Sequence, residues 1–174
     1  MTAQHLRGLR IPRWVAAVAW PLQLLLLYVL APAILANLGM RYGWQGAQPG
    51  PGNAAGVLLL APGLLGLGWV AYRHLVTSPR AAKVPPFAPD YLLTEGAYGW
   101  SRNPMYVAGI TTWIGWSVYY GSPCVMAGAA LATAVIAGVA VPYEERSLEA
   151  RFGGAYVCYK ESAPRWLKVP RRPR

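Results

Sequence analysis

Two short segments of this chain carry side chains that could recognise a charged ligand. The first is Arg102-Asn103-Pro104-Met105-Tyr106, and the second begins at Glu144-Glu145. A guanidinium can hold a carboxylate through two parallel hydrogen bonds, and a carboxylate can hold an ammonium group. Each segment alone has a plainer interpretation, because an arginine can extend to the membrane surface and glutamates favour a helix start. Placed at one level, the two segments would suit a zwitterionic, amino-acid-like ligand.

Long uncharged stretches lie around both segments and predict membrane-spanning helices. The chain is 55% hydrophobic and 13% charged, whereas soluble domains carry about 25% charged residues. About 20 apolar residues in a helix cross a bilayer, and Trp14–Leu38 and Ala54–Tyr72 are long enough. The uncharged stretch Asn103–Tyr143 suffices for two spans, and Gly121-Ser122-Pro123 breaks it near its middle. This break brings Arg102 and Glu144 back to the same level.

The predicted fold is therefore all-α, a polytopic membrane helix bundle formed by one domain over residues 1–174. It has about four transmembrane helices, of which the third and fourth form a tight hairpin, and a C-terminal cytosolic helical segment follows them. The hairpin arms are predicted at about Met105–Tyr120 and Cys124–Val141. The segment from Arg41 to Asn53 is expected to be a loop.

Prolines and glycines give finer predictions. Pro21 and Pro32 are expected to kink the first span, and membrane helices tolerate such kinks. Pro142 is expected to open a new helix at its first position, and Gly153-Gly154 to end or interrupt that helix. Small residues in a span let neighbouring backbones approach closely, and this interpretation applies to Gly63, Gly66 and Gly68.

The charge pattern predicts the orientation. The formal net charge is +10, and the basic residues flank the apolar stretches on alternate connections, as the positive-inside rule requires. Both termini and the charged middle loop are then cytoplasmic, whereas Tyr42–Asn53 and Gly121–Pro123 lie outside with Arg41. We expect an integral, multi-pass protein of a bacterial inner membrane, with membrane lipids as its neighbours. No segment is left over for a basic groove interleaved with aromatics, so we expect no nucleic-acid partner.

Metal and disulfide chemistry is not indicated. The two histidines accompany no histidine–carboxylate cluster, and Cys124 and Cys158 fit no metal-ligand spacing. We therefore expect no metal. The predicted topology also puts the two cysteines on opposite faces of the membrane, which excludes a disulfide between them within one chain.

The second half of the chain resembles a known family. Three motifs occur in order from about Thr94 to Leu167, with the predicted hairpin between the first and second. They are Gly96-x-Tyr98-x-x-x-Arg102-Asn103-Pro104-Met105-Tyr106, then Glu144-Glu145-x-x-Leu148-x-x-x-Phe152-Gly153-x-x-Tyr156-x-x-Tyr159, then Pro164-Arg165-Trp166. This order resembles the isoprenylcysteine carboxyl methyltransferase and phospholipid methyltransferase superfamily. The chain departs from the family pattern at Ala97, Gly99 and Asn103, where the family often has proline, arginine and, in the true prenylcysteine enzymes, histidine.

The resemblance implies an enzyme that transfers a methyl group from S-adenosylmethionine to a lipophilic acceptor at the cytoplasmic side. It implies that Arg102 and one of the paired glutamates, with Glu145 favoured over Glu144, carry the reaction. The glutamate would hold the α-ammonium of the cofactor and Arg102 its carboxylate or an anionic group of the acceptor. Asn103, Pro104 and Tyr106 would shape the pocket, and Tyr98 and Tyr156 would pack around the adenosine.

Two other functions remain open at this point. Some sterol and steroid reductases are distantly similar in this region and use NADPH, although a dinucleotide phosphate should require more basic side chains near the pocket. A non-catalytic lipid-binding membrane protein is the third possibility, and it would not need Tyr98, Arg102 and Glu145 in register. The acceptor also stays open, since an isoprenylcysteine-like carboxylate, a phospholipid amine and other oxygen, nitrogen or sulfur nucleophiles all fit.

Overall fold

A computed structural model describes residues 9–11, 13–77, 82–84 and 91–167. Residues 1–8, most of the charged middle loop and residues 168–174 lie outside the described residues. The chain folds as a helical membrane bundle, as predicted. Within the described part, three helical stretches are long and apolar enough to cross a membrane, namely Val18–Ala36, Pro51–His74 and Pro123–Phe152. The helix expected as the third span, α5, covers the 17 residues Pro104–Tyr120.

The first span is one continuous helix with a wider turn before its second proline. It consists of α1 (Arg13–Leu25), a π-helical turn (Leu26–Leu30) and α2 (Ala31–Ala36). Pro32 has no N–H to donate to the carbonyl four residues earlier, which belongs to Tyr28. The indole Nε1 of Trp116 donates to that carbonyl instead, at 2.6 Å. A residue of α5 thus satisfies the group that the proline leaves without its helical partner.

A second π-helical turn shows that one prediction was wrong. Pro142 does not open a new helix, because α6 (Pro123–Val135), a π-helical turn (Ile136–Ala140) and α7 (Val141–Phe152) run as one helix. The Val141 N–H bonds to the carbonyl of Ile136, five residues back. The wider turn lets the helix continue past a residue that cannot donate, and such π-turns are frequent at functional sites.

Close packing joins the second span to α5. The second span is α3 (Pro51–Ala54) followed by α4 (Val57–Thr77), so it begins inside the predicted loop, with Pro51 at its first helical position. A Cβ on Gly63 would lie 2.8 Å from the backbone nitrogen of Thr112, and one on Gly66 would lie 3.0 Å from the Ala108 Cβ. These two glycines permit the predicted close approach, whereas Gly68 faces open space.

The predicted hairpin turn is present between α5 and α6. Gly121 ends α5 in the left-handed conformation, with φ of 56°, which a glycine adopts without strain. The Ser122 side chain then accepts from the Val125 N–H, and Pro123 takes the first turn of α6. Arg41 lies beside this turn, over the rings of Trp44 and Tyr120. Trp44 belongs to a short ribbon, β2 (Trp44–Gln45) with β3 (Gln48–Pro49).

At the other end of α5 the C-terminal segment folds back on the bundle. Gly153, with φ of 54°, separates α7 from α8 (Gly154–Ser162), as predicted. The Arg102 N–H donates to the Pro164 carbonyl at 2.9 Å, so the chain after α8 lies against the start of α5. A 3-10 turn (Gly96–Gly99) precedes α5 at this end. A second ribbon, β1 (Leu9–Ile11) with β4 (Ala82–Val84), joins the chain before α1 to the middle loop.

Candidate functional site

A cavity of about 330 Å³ lies where α5 begins, a volume within the range of about 300–1,000 Å³ typical of small-molecule sites. One wall is apolar and comes from the first span and the last long helix. It includes Trp20, Leu24, Leu27, Ile136, Ala140 and Leu148. Both π-helical turns contribute to this wall, through Leu27 and Tyr28 of the first and Ile136 and Ala140 of the second. The polar groups of the lining, which form its polar wall, include Glu144 from this same last long helix.

Seven of the eight predicted site residues line this cavity. They are Tyr98, Arg102, Asn103, Pro104, Tyr106, Glu144 and Tyr156. They come from the 3-10 turn, the start of α5, α7 and α8, which are distant in sequence. Glu145 is the exception, because its side chain points away from the cavity.

Arg102 carries donors that the protein leaves unsatisfied. Its side chain is 12% exposed, and its Nη1 lies 3.4 Å from a carboxylate oxygen of Glu145, an ion pair without hydrogen-bond geometry. Its buried Nε and Nη1 have no hydrogen-bond partner among the described residues. Leaving a buried donor unpaired costs about 1–3 kcal/mol, and more for a charged group. A ligand that brings an anionic oxygen would remove this cost.

Asn103 and Pro104 serve to position Arg102. The backbone N–H of Asn103 donates to the Ser101 hydroxyl at 3.0 Å, and its side-chain amide donates to the Arg165 carbonyl at 2.9 Å. Pro104 then starts α5 at a position where a missing N–H has no consequence. The segment before α5 is therefore tied to the C-terminal segment, and Arg102 lies between them.

The two glutamates point in different directions. Glu144 lines the cavity and accepts a hydrogen bond from the Tyr106 hydroxyl. The Glu145 carboxylate accepts two hydrogen bonds from the exposed Arg165 guanidinium, a contact that raises the pKa of Arg165. Successive residues on a helix point about 100° apart, so both could not face one cavity. The sequence favoured Glu145 as the glutamate that binds the cofactor. In the structure Glu144 lines the cavity, whereas Glu145 contacts Arg102 and Arg165.

The phenols of Tyr98 and Tyr156 in the cavity lining are held in their neutral form. Burial, with a further contribution from the charge of Glu144, raises the pKa of Tyr98 far above its usual value. Burial also raises the pKa of Tyr156, and Glu145 adds to this effect. Both hydroxyls are therefore available as hydrogen-bond donors at neutral pH.

His74 is a cavity residue that the sequence interpretation missed. It lies near the end of α4, with its Nε2 2.6 Å from the Tyr98 hydroxyl and its Nδ1 3.0 Å from the Tyr91 hydroxyl. Its ring also lies 5.6 Å from the ring of Trp20. The motifs between Thr94 and Leu167 do not include it. The signal that was available is its position, because an ionisable residue at the end of a membrane-spanning helix can mark a functional site.

Comparison with known proteins gives one family. A family described as Phospholipid methyltransferase matches residues 54–155, more than half of the chain. The match confirms the resemblance indicated by the motifs. It contains His74, Arg102 and both glutamates, begins within α3 and ends before the Pro164-Arg165-Trp166 motif. No curated protein and no solved structure matches the chain.

Proposed function

The chain belongs to the phospholipid methyltransferase family, and from this premise we propose that it transfers a methyl group from S-adenosylmethionine to a lipophilic acceptor at the cytoplasmic side of the membrane. The family and the membrane-spanning helices indicate a membrane methyltransferase. The cofactor, the acceptor class and the side of the membrane are parts of the proposal.

The observation that carries the proposal is the pairing of opposite charges on the cavity wall. Arg102 presents buried donors without partners, and Glu144 presents a carboxylate from α7. The methionine part of S-adenosylmethionine carries one carboxylate and one ammonium group. Arg102 would hold the carboxylate and Glu144 the ammonium, so the residues present fit this cofactor. The charged groups of the ligand would then neutralise those of the wall.

The other residues would position these two. Glu145 would keep the Arg102 guanidinium oriented and join it to Arg165. Asn103 and Pro104 would set the entry into α5. Tyr106, which donates to Glu144, would hold that carboxylate in place, and the rings of Tyr98 and Tyr156 would form the sides of the adenosine pocket.

The chemistry needs little more from the protein. When bound, the cofactor supplies a methyl group already activated by a sulfonium. The cavity must align the acceptor with that methyl group and exclude water. The apolar wall of Leu24, Leu27 and Ile136 would take the lipophilic part of the acceptor and hold its reacting atom at the polar wall.

The orientation completes the proposal. The cavity lies at the end of α5 that carries Arg102, and the predicted topology puts every basic residue except Arg41 at this end. The positive-inside rule makes this end cytoplasmic, with four crossings and both termini inside. Arg41 and the α5–α6 turn would then face the other side.

Ligand-dependent stability tests the cofactor. S-Adenosylmethionine and S-adenosylhomocysteine should each raise the melting temperature of the detergent-solubilised protein, and NADPH should not. At ten times the dissociation constant the stabilisation should be about 1.4 kcal/mol. A shift with NADPH alone would replace this proposal with a reductase. A shift with none of the three would leave a lipid-binding protein.

A further inference from the structure

The two nitrogens of His74 make different hydrogen bonds. The Tyr91 hydroxyl donates its one proton to the backbone carbonyl of His74, at 3.2 Å. We assign the imidazole proton to Nδ1, because the Tyr91 oxygen can accept it while the Tyr91 hydroxyl donates to the carbonyl. Nε2 is then the unprotonated nitrogen, and the Tyr98 hydroxyl donates to it at 2.6 Å. The network prepares His74 to take up a proton from Tyr98.

Tyr98 connects this nitrogen to the cavity. It lines the cavity together with His74, and a phenolic oxygen that donates its proton still has lone pairs that can accept another. The backbone of Tyr98 is also held, because the Tyr159 hydroxyl donates to its carbonyl at 2.8 Å. Burial keeps Tyr98 from ionising by itself, so it can pass a proton on but does not act as a free base.

We propose that Tyr98 and His74 form a proton relay that removes the proton of the acceptor, and that the acceptor is a lipophilic amine, thiol or alcohol and not a carboxylate. This inference rests on the proposed function. A carboxylate is already ionised at neutral pH and has no proton to lose. The Tyr98–His74 pair would therefore have no proton to remove from it.

In the proposed step the acceptor gains the methyl group and loses its proton. The lone pair of the acceptor atom forms the new bond to the methyl carbon, and the carbon–sulfur bond breaks with its electron pair going to sulfur. The acceptor proton moves to the Tyr98 oxygen while the Tyr98 proton moves to His74 Nε2. His74 becomes a cation beside Tyr98, and the negative charge of Glu144 acts on Tyr98. After the product leaves, His74 returns the proton by the same route to water.

The experiment compares four acceptors that share one tail. Protein reconstituted in phosphatidylcholine vesicles is given radiolabelled S-adenosylmethionine with dodecylamine, dodecanethiol, dodecanol or dodecanoate. The wild type should methylate at least one of the first three. His74→Gln and Tyr98→Phe should each lower kcat for that acceptor about 10²- to 10⁴-fold, the usual contribution of general acid–base catalysis. His5→Gln, at the chain's other histidine, is the matched control and should keep the wild-type rate.

Cofactor affinity separates this inference from the proposed function. Calorimetric titration of His74→Gln should give a dissociation constant for S-adenosylhomocysteine within about threefold of wild type, because the relay does not hold the methionine part. Preferred methylation of dodecanoate, label on none of the three protic acceptors, or an unchanged kcat in both variants would overturn the relay. A loss of cofactor binding in both variants would also overturn it and show a structural role. Binding of S-adenosylhomocysteine to the wild type tests the proposed cofactor site separately, and none of these four outcomes depends on it.

Discussion

At one end of α5 the guanidinium of Arg41 lies 5.0 and 5.1 Å from the ring centroids of Trp44 and Tyr120. It also donates to the Ala36 carbonyl at 3.2 Å and to the Asn37 side chain at 2.7 Å. At the other end the guanidinium of Arg102 is buried, and two of its nitrogens have no hydrogen-bond partner in the part of the chain that the structure describes. The protein thus satisfies the arginine at one end and leaves donors of the arginine at the other end unpaired, where we propose that a ligand binds.

This contrast separates a structural arginine from one that we propose binds a ligand. The ring contacts of Arg41 fix the turn between α5 and α6 to the loop after α2, and aromatic residues are enriched at such membrane–water interfaces. Arg102 instead lies between the Glu145 carboxylate and the cavity. The partners of each arginine, and not its charge, indicate which end is the site.

The largest effect we predict concerns the sidedness of the two ends, and it is all or none. Cys158 is exposed in α8 near the Arg102 end, and Cys124 begins α6 at the Arg41 end. In right-side-out vesicles a membrane-impermeant thiol reagent should not label Cys158, because we propose that the Arg102 end is cytoplasmic. Inside-out vesicles should give full labelling. Cys158→Ser serves as the blank, and labelling of Cys158 in right-side-out vesicles would reverse the proposed orientation.

The next effect is on cofactor affinity. Arg102→Gln should weaken S-adenosylhomocysteine binding about 100-fold or more, since truncating one partner of a buried charge pair costs about 2–5 kcal/mol. Arg41→Gln is the matched control and should leave the dissociation constant within about twofold of wild type. Calorimetric titration measures both. Equal affinity in the two variants would remove the distinction between the ends.

Much of the fold could be predicted because it follows from composition. The lipid requires long apolar helices, and the turn residues Gly121, Ser122 and Pro123 mark the hairpin directly. The continuity at Pro142 could not be predicted, because it depends on a shift to five-residue hydrogen bonds that no residue type specifies.

The candidate site was predictable as a set of residues but not in its geometry. Seven of the predicted site residues line the cavity, because a hairpin must bring its two ends to one level. Which glutamate faces the cavity depends on the rotation of α7, and this is set by its contacts with Arg165 and Tyr106. His74 escaped notice because its partners, Tyr91 and Tyr98, follow it in the middle loop and meet it only in the folded chain.

Substitution of the two glutamates tests which of them contributes to cofactor affinity at the Arg102 end. Glu144→Gln keeps the size of the side chain and removes its charge, so affinity for S-adenosylhomocysteine should fall about 10- to 100-fold, the effect of a lost charge-assisted hydrogen bond of about 1.5–3 kcal/mol. Glu145→Gln should reduce affinity less than tenfold and lower the melting temperature instead, because Glu145 contacts Arg102 and Arg165 and not the cavity. Calorimetry and thermal unfolding on both variants give the comparison. A larger affinity loss in Glu145→Gln would restore the assignment favoured by the sequence.

The smallest effect should come from the Arg41 end. Arg41→Gln removes the contacts with Trp44 and Tyr120, each worth about 0.5–1 kcal/mol at an exposed site, so the free energy of unfolding should fall by about 1–2 kcal/mol with cofactor affinity unchanged. Arg41→Lys keeps the charge but lacks the planar group that stacks on rings, and its stability should lie between the two. Reversible unfolding in mixed micelles measures the differences. A double-mutant cycle with Tyr120→Leu isolates the ring contact, and its coupling energy should be about 0.5–1 kcal/mol. A coupling energy of zero, or an Arg41→Gln variant that loses cofactor affinity and not stability, would mean that the two arginines are not divided between structure and ligand in the way their partners indicate.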